Sequence, residues 1–357
     1  MMNRLPPIDE MERACLDRDG SYDGLFFLAV RTTGVFCRPS CPARKPLPGN
    51  VEYYATAEEA LRAGYRACKR CRPTETDDQP EWVKGLLAEI EGAPARRITN
   101  TDLRDRGIDP STARRYFMKH YGMTFQAFAR ARRMGEALHL IQEGGSLDDA
   151  VFESGYDSHS GFRDAFARVF GGPPGKGRSQ DCVSLARIPS PLGPLVAGAV
   201  PSGICLLEFA DRRMLETQLT TVQKLFRLPV VPRPTDLLKR LRDELSGYFA
   251  GEARRFTVPV VYPGTPFQRK VWDELVRIPY GETRSYEDLA RAIGSPRAGR
   301  AVGRANGQNR VAIVIPCHRV VNKNGRLGGY GGGLRRKQFL LDLEGGSRDT
   351  NSVPLVR

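Results

Sequence analysis

Eight cysteines and four histidines are the residues of this chain with the widest chemical repertoire. Four of the cysteines are paired, Cys37 with Cys41 across three residues and Cys68 with Cys71 across two, and 26 residues separate the pairs. Such short spacings put two thiolates on one side of a tight turn, as tetrahedral Zn²⁺ requires. The opening segment MMNRLPPIDEMER has no apolar signal core, so the cytoplasm is the expected compartment, where thiols favour metal over disulfides. All four histidines (His120, His139, His159, His318) lie outside this region. A four-thiolate zinc site is therefore the economical reading, with four unpaired structural thiols as the alternative. A closed four-thiolate site is ordinarily structural, so the spacing alone implies no reaction. Farther on, Cys317 and His318 stand side by side in IPCHRVV. A thiol with a candidate base is a potential nucleophile, yet adjacent side chains often diverge, and the pair alone decides nothing. Cys205, in the apolar GICLLEF run, reads as a buried thiol, and Cys15 and Cys182 carry no signal.

These residues need elements to hold them. At 357 residues the chain is too long for one compact domain. RPTETDDQPE (72–81) and GGPPGKGRSQD (171–181) read as linkers. They divide a Cys-rich N-terminal part from a middle of helical period and a mixed C-terminal part. No run approaches the ~18 apolar residues of a membrane span. The 55 basic and 41 acidic residues give a net charge of +14, which points to a polyanionic partner. The surplus sits after residue 180, with 28 basic and 16 acidic residues, whereas residues 1–80 balance at 12 and 12.

Asp109-Pro110 reads as N-cap and first residue of a helix to about His120. Ala113, Tyr116, Phe117 and His120 face inward, while Ser111, Arg114, Arg115 and Lys119 face outward. ITNTDLRDR forms a short helix before it, with Gly107 in the turn. The unit recurs: Leu147, Ala150 and Val151 give a helical face, Gly155 a turn, and a second helix starts near Ser158. There Phe162, Phe166, Val169 and Phe170 face the core and His159, Ser160 and Arg163 face away. A longer helix, about Thr124–Glu143, joins the two units. This is helix-turn-helix grammar, with a plain helical bundle as the alternative on pattern alone. Residues 181–265 read as short strands and turns with a helix around Asp236–Ala250, and carry no assigned chemistry. Ser285-x-x-Asp288 is a capping box opening a helix to about Ile293. Ser295-Pro296 opens another, in which Ala298, Ala301, Val302 and Ala305 form an apolar stripe and Arg297, Arg300 and Arg304 a basic one. VAIVI (311–315) has a buried-strand pattern.

The run VRTTGVFCRPSCPARKPLPGN, followed by AGYRACKRCRP, resembles the N-terminal domain of the Ada family, adaptive-response regulators of DNA repair. The resemblance implies one Zn²⁺ held by Cys37, Cys41, Cys68 and Cys71, with Cys37 accepting methyl from DNA methylphosphotriesters and Arg44, Arg66 and Arg70 on the DNA side. Ala67 departs from a frequent family proline. AVFESGYDSHSGFRDAFARVFGGPP is similar to the second unit of AraC-type DNA-binding domains. It implies DNA contacts from His159, Arg163, Arg114 and Arg115. IPCHRVV resembles the O6-alkylguanine-DNA alkyltransferase signature, and that likeness runs from about residue 185 to the C-terminus. It implies Cys317 as alkyl acceptor, His318 as base through a water, Glu344 to orient His318, and Asn309 to support the cysteine's turn. Arg300 would fill the gap left by a flipped base, flanked by Arg297 and Arg304. Tyr286 would crowd the adjacent phosphate and protonate the leaving guanine, and Tyr330, in LGGYGGG, would line the pocket.

Taken together the resemblances imply a multidomain α/β and all-α chain. Its parts are a small zinc-bound α/β domain (1–76), an AraC-type double helix-turn-helix (82–175), a ribonuclease H-like α/β subdomain (182–264), a winged-helix-like catalytic subdomain (265–348) and a tail (349–357). The implied function is single-turnover repair of O6-methylguanine on Cys317 and of methylphosphotriesters on Cys37, the second reaction switching on promoter binding. The charge pattern fits such a switch. Residues 31–72 hold nine basic and three acidic residues, beside a cluster that four thiolates and Zn²⁺ make −2 and methylation makes −1. Double-stranded DNA and RNA polymerase are the expected partners of a monomer with no membrane association. The alternatives are a zinc-dependent transcription factor whose C-terminal domain recognises lesions without repairing them, and a repair enzyme whose middle domain has lost regulation.

Overall fold

A computed structural model describes residues 5–74, 80–175, 181–212 and 214–345; the centres of both linkers and the tail from 349 lie outside the described residues. Two compact units result, Met1–Pro80 with Leu327–Leu340, and Glu81–Arg326 with Leu341–Arg357.

The first unit opens with helix α1 (Ile8–Asp17), followed by strands β1 (Phe27–Val30), β2 (Val35–Cys37) and β3 (Val51–Tyr54), helix α2 (Ala57–Arg62) and strand β4 (Arg66–Ala67). The sheet order is β3-β1-β2-β4, with β1 antiparallel to both β2 and β3 and β4 parallel to β2. Strand alternation sorts the core. Phe27 and Ala29 pack with Phe36 and Ala60, while Phe26 and Leu28 pack with Met11, Ala14 and Tyr22 on the face that also holds Cys37, Cys41 and Cys68. In the 327–340 segment, the Leu334 amide donates to Asp19 Oδ2 at 2.9 Å.

The second unit begins with six helices: α3 (Glu81–Gly92), α4 (Asn100–Asp105), α5 (Pro110–Tyr121), α6 (Phe125–Gln142), α7 (Leu147–Glu153) and α8 (His159–Phe170). The caps are those of the sequence. Asp109 Oδ1 accepts from the amides of Ser111 and Thr112, at 2.6 and 3.1 Å, and Ser158 caps α8. Strands β5 (Val183–Ile188), β6 (Leu195–Val200) and β7 (Gly203–Phe209), helix α9 (Leu215–Phe226), strand β8 (Val230–Pro232) and helix α10 (Asp236–Phe249) follow. The sheet runs β7-β6-β5-β8. Helices and sheet share hydrophobic cores: Phe117, Tyr121 and Phe125 lie in one buried cluster with Val183, Leu185, Leu206, Leu215 and Leu219. Gly135 is required by this packing, because a Cβ there would come within 2.7 Å of Val231 Cγ1.

The remaining elements are α11 (Pro266–Val276), β9 (Arg284–Ser285), α12 (Tyr286–Ala292), α13 (Gly299–Gly307), β10 (Val320–Val321) and α14 (Leu334–Glu344). Among the described residues no helix is long and apolar enough to cross a membrane. Three expectations are corrected here. Helix α13 starts at Gly299, because Ser295 to Ala298 closes as a turn in which the Ala298 amide donates to the Ser295 carbonyl. Arg297 therefore lies in that turn, and Ala301 is exposed rather than part of the inner stripe of Val302 and Ala305. VAIVI is no strand. Val311 forms an isolated bridge with Leu207, Ile313 takes a left-handed φ of 71°, and the chain coils around the Asn309 side chain. An apolar run reports burial, and local side-chain bonding decided its path. Helices α1, α2, α3, α9, α11 and α14 were not anticipated.

Candidate functional site

The loop after α13 is shaped by one amide. Asn309 Oδ1 accepts from the Val311 amide at 2.9 Å, and Nδ2 donates to the Ile315 carbonyl at 2.8 Å and to Cys317 Sγ at 3.1 Å. A positioned N–H donor favours the thiolate over the thiol. From α13, Asn306 Nδ2 also donates to the Cys317 carbonyl at 3.3 Å. The parallel pairing of β10 with β9, Val320 opposite Arg284, ties the cysteine's turn to the start of α12. Tyr286 stands there as the first residue of α12, and burial followed by the nearby Cys317 sulfur raises its phenol above its ordinary value. A phenol held in its protonated form can donate.

His318 is fully buried, with Nε2 at 2.9 Å from Glu344 Oε1. Glu344 also accepts from Arg319 Nε at 2.7 Å and Nη2 at 2.9 Å, and from the Tyr248 hydroxyl at 2.7 Å. Burial pushes this carboxyl up, but the hydrogen bonds and charges of His318 and Arg319 outweigh it and hold the group at about 2. The sign follows: a carboxyl depressed from 4.5 stabilises the fold above pH 4.5, and that contribution is lost as pH falls toward 2. Glu344→Gln should therefore cost about 3 kcal/mol of stability at pH 7, as for one broken member of a buried charged network. The deficit should shrink in denaturant titrations at pH 3. An equal deficit at both pH values would show that the charge is not what matters.

Sequence reasoning placed Cys317, His318, Glu344 and Asn309, and the structure brings these four together. It missed Tyr248, Arg319 and Asn306. Arg319 carried a signal, a charge inside an apolar run. Tyr248 carried none, because its partner lies 96 residues away. Arg297, Arg300 and Arg304 are all exposed. The Gly303 position, where a Cβ would lie 3.7 Å from the Tyr286 ring, sets the face of α13 next to that tyrosine. Tyr330 is half-buried in the 327–333 segment of the first unit.

In the first unit the pairing of β2 with β4 unites the two cysteine pairs. Val35 and Phe36 lie opposite Arg66 and Ala67, and the Cys68 amide donates to the Phe36 carbonyl at 3.0 Å. The ladder donors of β4 are Arg66 and Cys68, so the residue at 67 leaves the pairing untouched. The four sulfurs lie within 4.8 Å of one another. A tetrahedral zinc with Zn–S bonds near 2.3 Å asks for about 3.8 Å between sulfurs, so the cluster fits with small adjustments. Without a cation the sulfurs compete. Hydrogen bonds with Cys41 and Cys71 push the Cys37 thiol far above its ordinary value, while bonds from Cys37 and Cys71 pull Cys41 well below its own. A dication removes that competition, and the donor set is that of a Zn²⁺ site. Arg44, Arg66 and Arg70 are exposed around it.

On α8, His159 and Arg163 are exposed, and His159 Nε2 pairs with Asp148 Oδ1 of α7 at 3.3 Å. On α5, Arg114 and Arg115 are exposed and the Arg115 guanidinium donates to Thr112 Oγ1 at 3.1 Å.

A thiol met by an amide donor, a carboxylate-bonded histidine beside it and an arginine-faced helix define the class, a cysteine-acceptor DNA alkyltransferase joined to helix-turn-helix units. Family models agree along the chain: the metal binding domain of Ada over residues 10–74, a helix-turn-helix domain over 104–180, and the DNA binding domain of 6-O-methylguanine DNA methyltransferase over 266–346. The chain is 37% identical to the bifunctional transcriptional activator/DNA repair enzyme Ada of Escherichia coli K12, covering 94% of this chain and 96% of that one. It is 36% identical to the regulatory protein ada of Salmonella typhimurium, over 92% and 94%. Among solved structures, Mycobacterium tuberculosis OGT in complex with DNA matches 46% of this chain and 94% of its own, at 43% identity and a TM-score of 0.41. The chain belongs to the Ada family.

Proposed function

We propose that the chain repairs alkylated DNA by accepting methyl groups on two of its own cysteines, and that one of the two transfers turns it into a transcriptional activator. The observation that carries this is the Asn309–Cys317 contact beside the His318–Glu344 pair. With Nε2 engaged by the carboxylate, Nδ1 is the ring nitrogen that serves the thiol side, taking the Cys317 proton through a water. The sulfur then attacks the methyl carbon of O6-methylguanine. The C–O bond breaks with its electrons going to the purine, and Tyr286 supplies the proton that leaves guanine neutral. The lesion must leave the base stack to reach a cysteine only 5% exposed. Arg300 fills the gap, and Arg297 and Arg304 grip the flanking phosphates. The product thioether is a poor leaving group, so each site acts once.

At the second site bound zinc keeps the four thiols ionised at neutral pH. Cys37 takes the methyl carbon of a phosphotriester, releasing the phosphodiester anion, and Cys41, Cys68 and Cys71 hold it in place. Arg44, Arg66 and Arg70 carry the DNA backbone, and His159, Arg163, Arg114 and Arg115 of the middle helices contact the promoter. Loss of one negative charge on methylation should raise promoter affinity at least severalfold at low salt, the gain shrinking as salt rises. Equal affinity before and after Cys37 methylation at every salt concentration would remove the switch. The domain limits 1–76, 82–175, 182–264 and 265–348, a monomeric cytoplasmic protein and contact with RNA polymerase complete the reading. Support for the last is the activator role itself. A lesion-binding protein without repair is disfavoured, since its defining change would be loss of the cysteine. The test is incubation with DNA carrying labelled methyl groups, followed by peptide mapping. Label on both Cys37 and Cys317 is expected, and label on neither would overturn the proposal.

A further inference from the structure

A charged pair outside the reaction centre reaches the loop that serves it. Glu208, near the end of β7, is completely buried in an otherwise apolar strand. Its carboxylate accepts from the Phe209 amide at 3.0 Å, from Gln218 Nε2 at 3.3 Å, and from Arg212 Nη1. Burial, opposed by Arg212, raises this carboxyl to about 7. A buried ion pair contributes little to stability, and apolar residues of similar volume often do as well or better, so stability alone is a poor reason for one here. The other end of Arg212 supplies a different reason. Its Nη2 donates at 2.9 Å to the carbonyl of Gly307, the last residue of α13. That carbonyl is one of the four that a helix C-terminus leaves without an intrahelical donor, and a cation there also opposes the helix dipole.

The next residues are gripped as well. The Leu207 amide donates to the Arg310 carbonyl and the Ala312 amide to the Leu207 carbonyl, both at 2.8 Å. Segment 307–312 is thus held to the end of β7 at three points, and Asn309, the donor to Cys317 Sγ at 3.1 Å, lies inside it. We propose that the Glu208–Arg212 pair is a positioning device that fixes the end of the DNA-facing helix and, through it, holds the Asn309 amide on the Cys317 sulfur. Glu208 locks the guanidinium in plane, and Arg212 transmits that order to the loop. Both residues act through Asn309 without touching substrate.

This rests on the alkyltransferase reading, which label on Cys317 of the unaltered protein tests separately. The device itself is tested with the full-length double variant Glu208→Leu/Arg212→Leu, which removes the carbonyl contact without stranding a charge. Quench-flow measurement of methyl transfer from an O6-methylguanine duplex, with protein saturating, gives the transfer rate constant, and a titration gives the duplex Kd. The expected result is a roughly tenfold slower transfer, a Kd within twofold of the parent and an unchanged or higher melting temperature, since a 1 Å displacement of a catalytic group costs up to about 100-fold. Arg212→Met, in which Glu208 takes up a proton and stays neutral, should show the same split and serves if the double variant does not fold. Parental transfer rates, or slowing only in proportion to weakened duplex binding, would overturn the proposal.

Discussion

Cys317→Ala should abolish methyl transfer from O6-methylguanine completely, leaving transfer from methylphosphotriesters to Cys37 at its parental level. The loss is total because the sulfur is a reactant, and no second thiol occupies its place beside Asn309 and His318. The change is also gentle to the fold. Cys317 is 5% exposed and small, so the cavity left by one sulfur costs about 1 kcal/mol. The buried network of His318, Arg319 and Tyr248 is centred on the Glu344 carboxylate. Asn309 keeps its bonds to Val311 and Ile315, so the loop retains its course. Peptide mapping after incubation with labelled DNA reads both sites at once. Residual label in the 317 peptide's neighbours would place the acceptor elsewhere, and loss of label at Cys37 as well would show that the two sites depend on each other.

Removal of zinc is the second large effect. Three of the four cysteine sulfurs belong to the small hydrophobic cluster of the first unit, and β4, which brings the second cysteine pair to the first, is two residues long. A sheet held by so short a strand has little stability of its own. The apparent free energy of structural zinc binding, about 10–16 kcal/mol in small domains, equals or exceeds the whole stability of an ordinary domain, about 5–15 kcal/mol. Chelation, or Cys68→Ser, should therefore unfold the 5–74 region and abolish transfer to Cys37. Metal content should fall from one per chain to none, with protease cuts appearing within residues 5–74. A protease pattern that is unchanged after the metal has left would show that the fold does not need it.

What could be read from the sequence was what local chemistry decides. Asp109-Pro110, Ser158 and Ser285 each announce a helix, because a cap bonds within three residues of itself. Ser295 offered the same letters and failed, since its amide is drawn back to the Ala290 carbonyl and the chain turns before α13 begins. The cysteine pairs were legible by spacing, but their meeting depends on the β2–β4 pairing. The IPCHRVV signature led to Cys317, His318 and Glu344. Tyr248 and Arg212 were not legible, because each acts through a partner brought close only by the fold. VAIVI misled for the same reason, since Asn309, not strand pairing, sets its course.

The cluster in which Phe117, Tyr121 and Phe125 pack with Val183, Leu185 and Leu219 joins helices α5 and α6 of the helix-turn-helix part to the β7-β6-β5-β8 sheet and α9 of the alkyltransferase part. Two parts with one interior have one unfolding equilibrium. Whatever either part binds therefore stabilises both by mass action, about 2.7 kcal/mol at a ligand concentration one hundred times its Kd. A protein seated on a promoter thus guards its second nucleophile against thermal loss during the stress that calls for it. Calorimetry should show the helices and the acceptor region melting in a single transition, moved upward by promoter DNA.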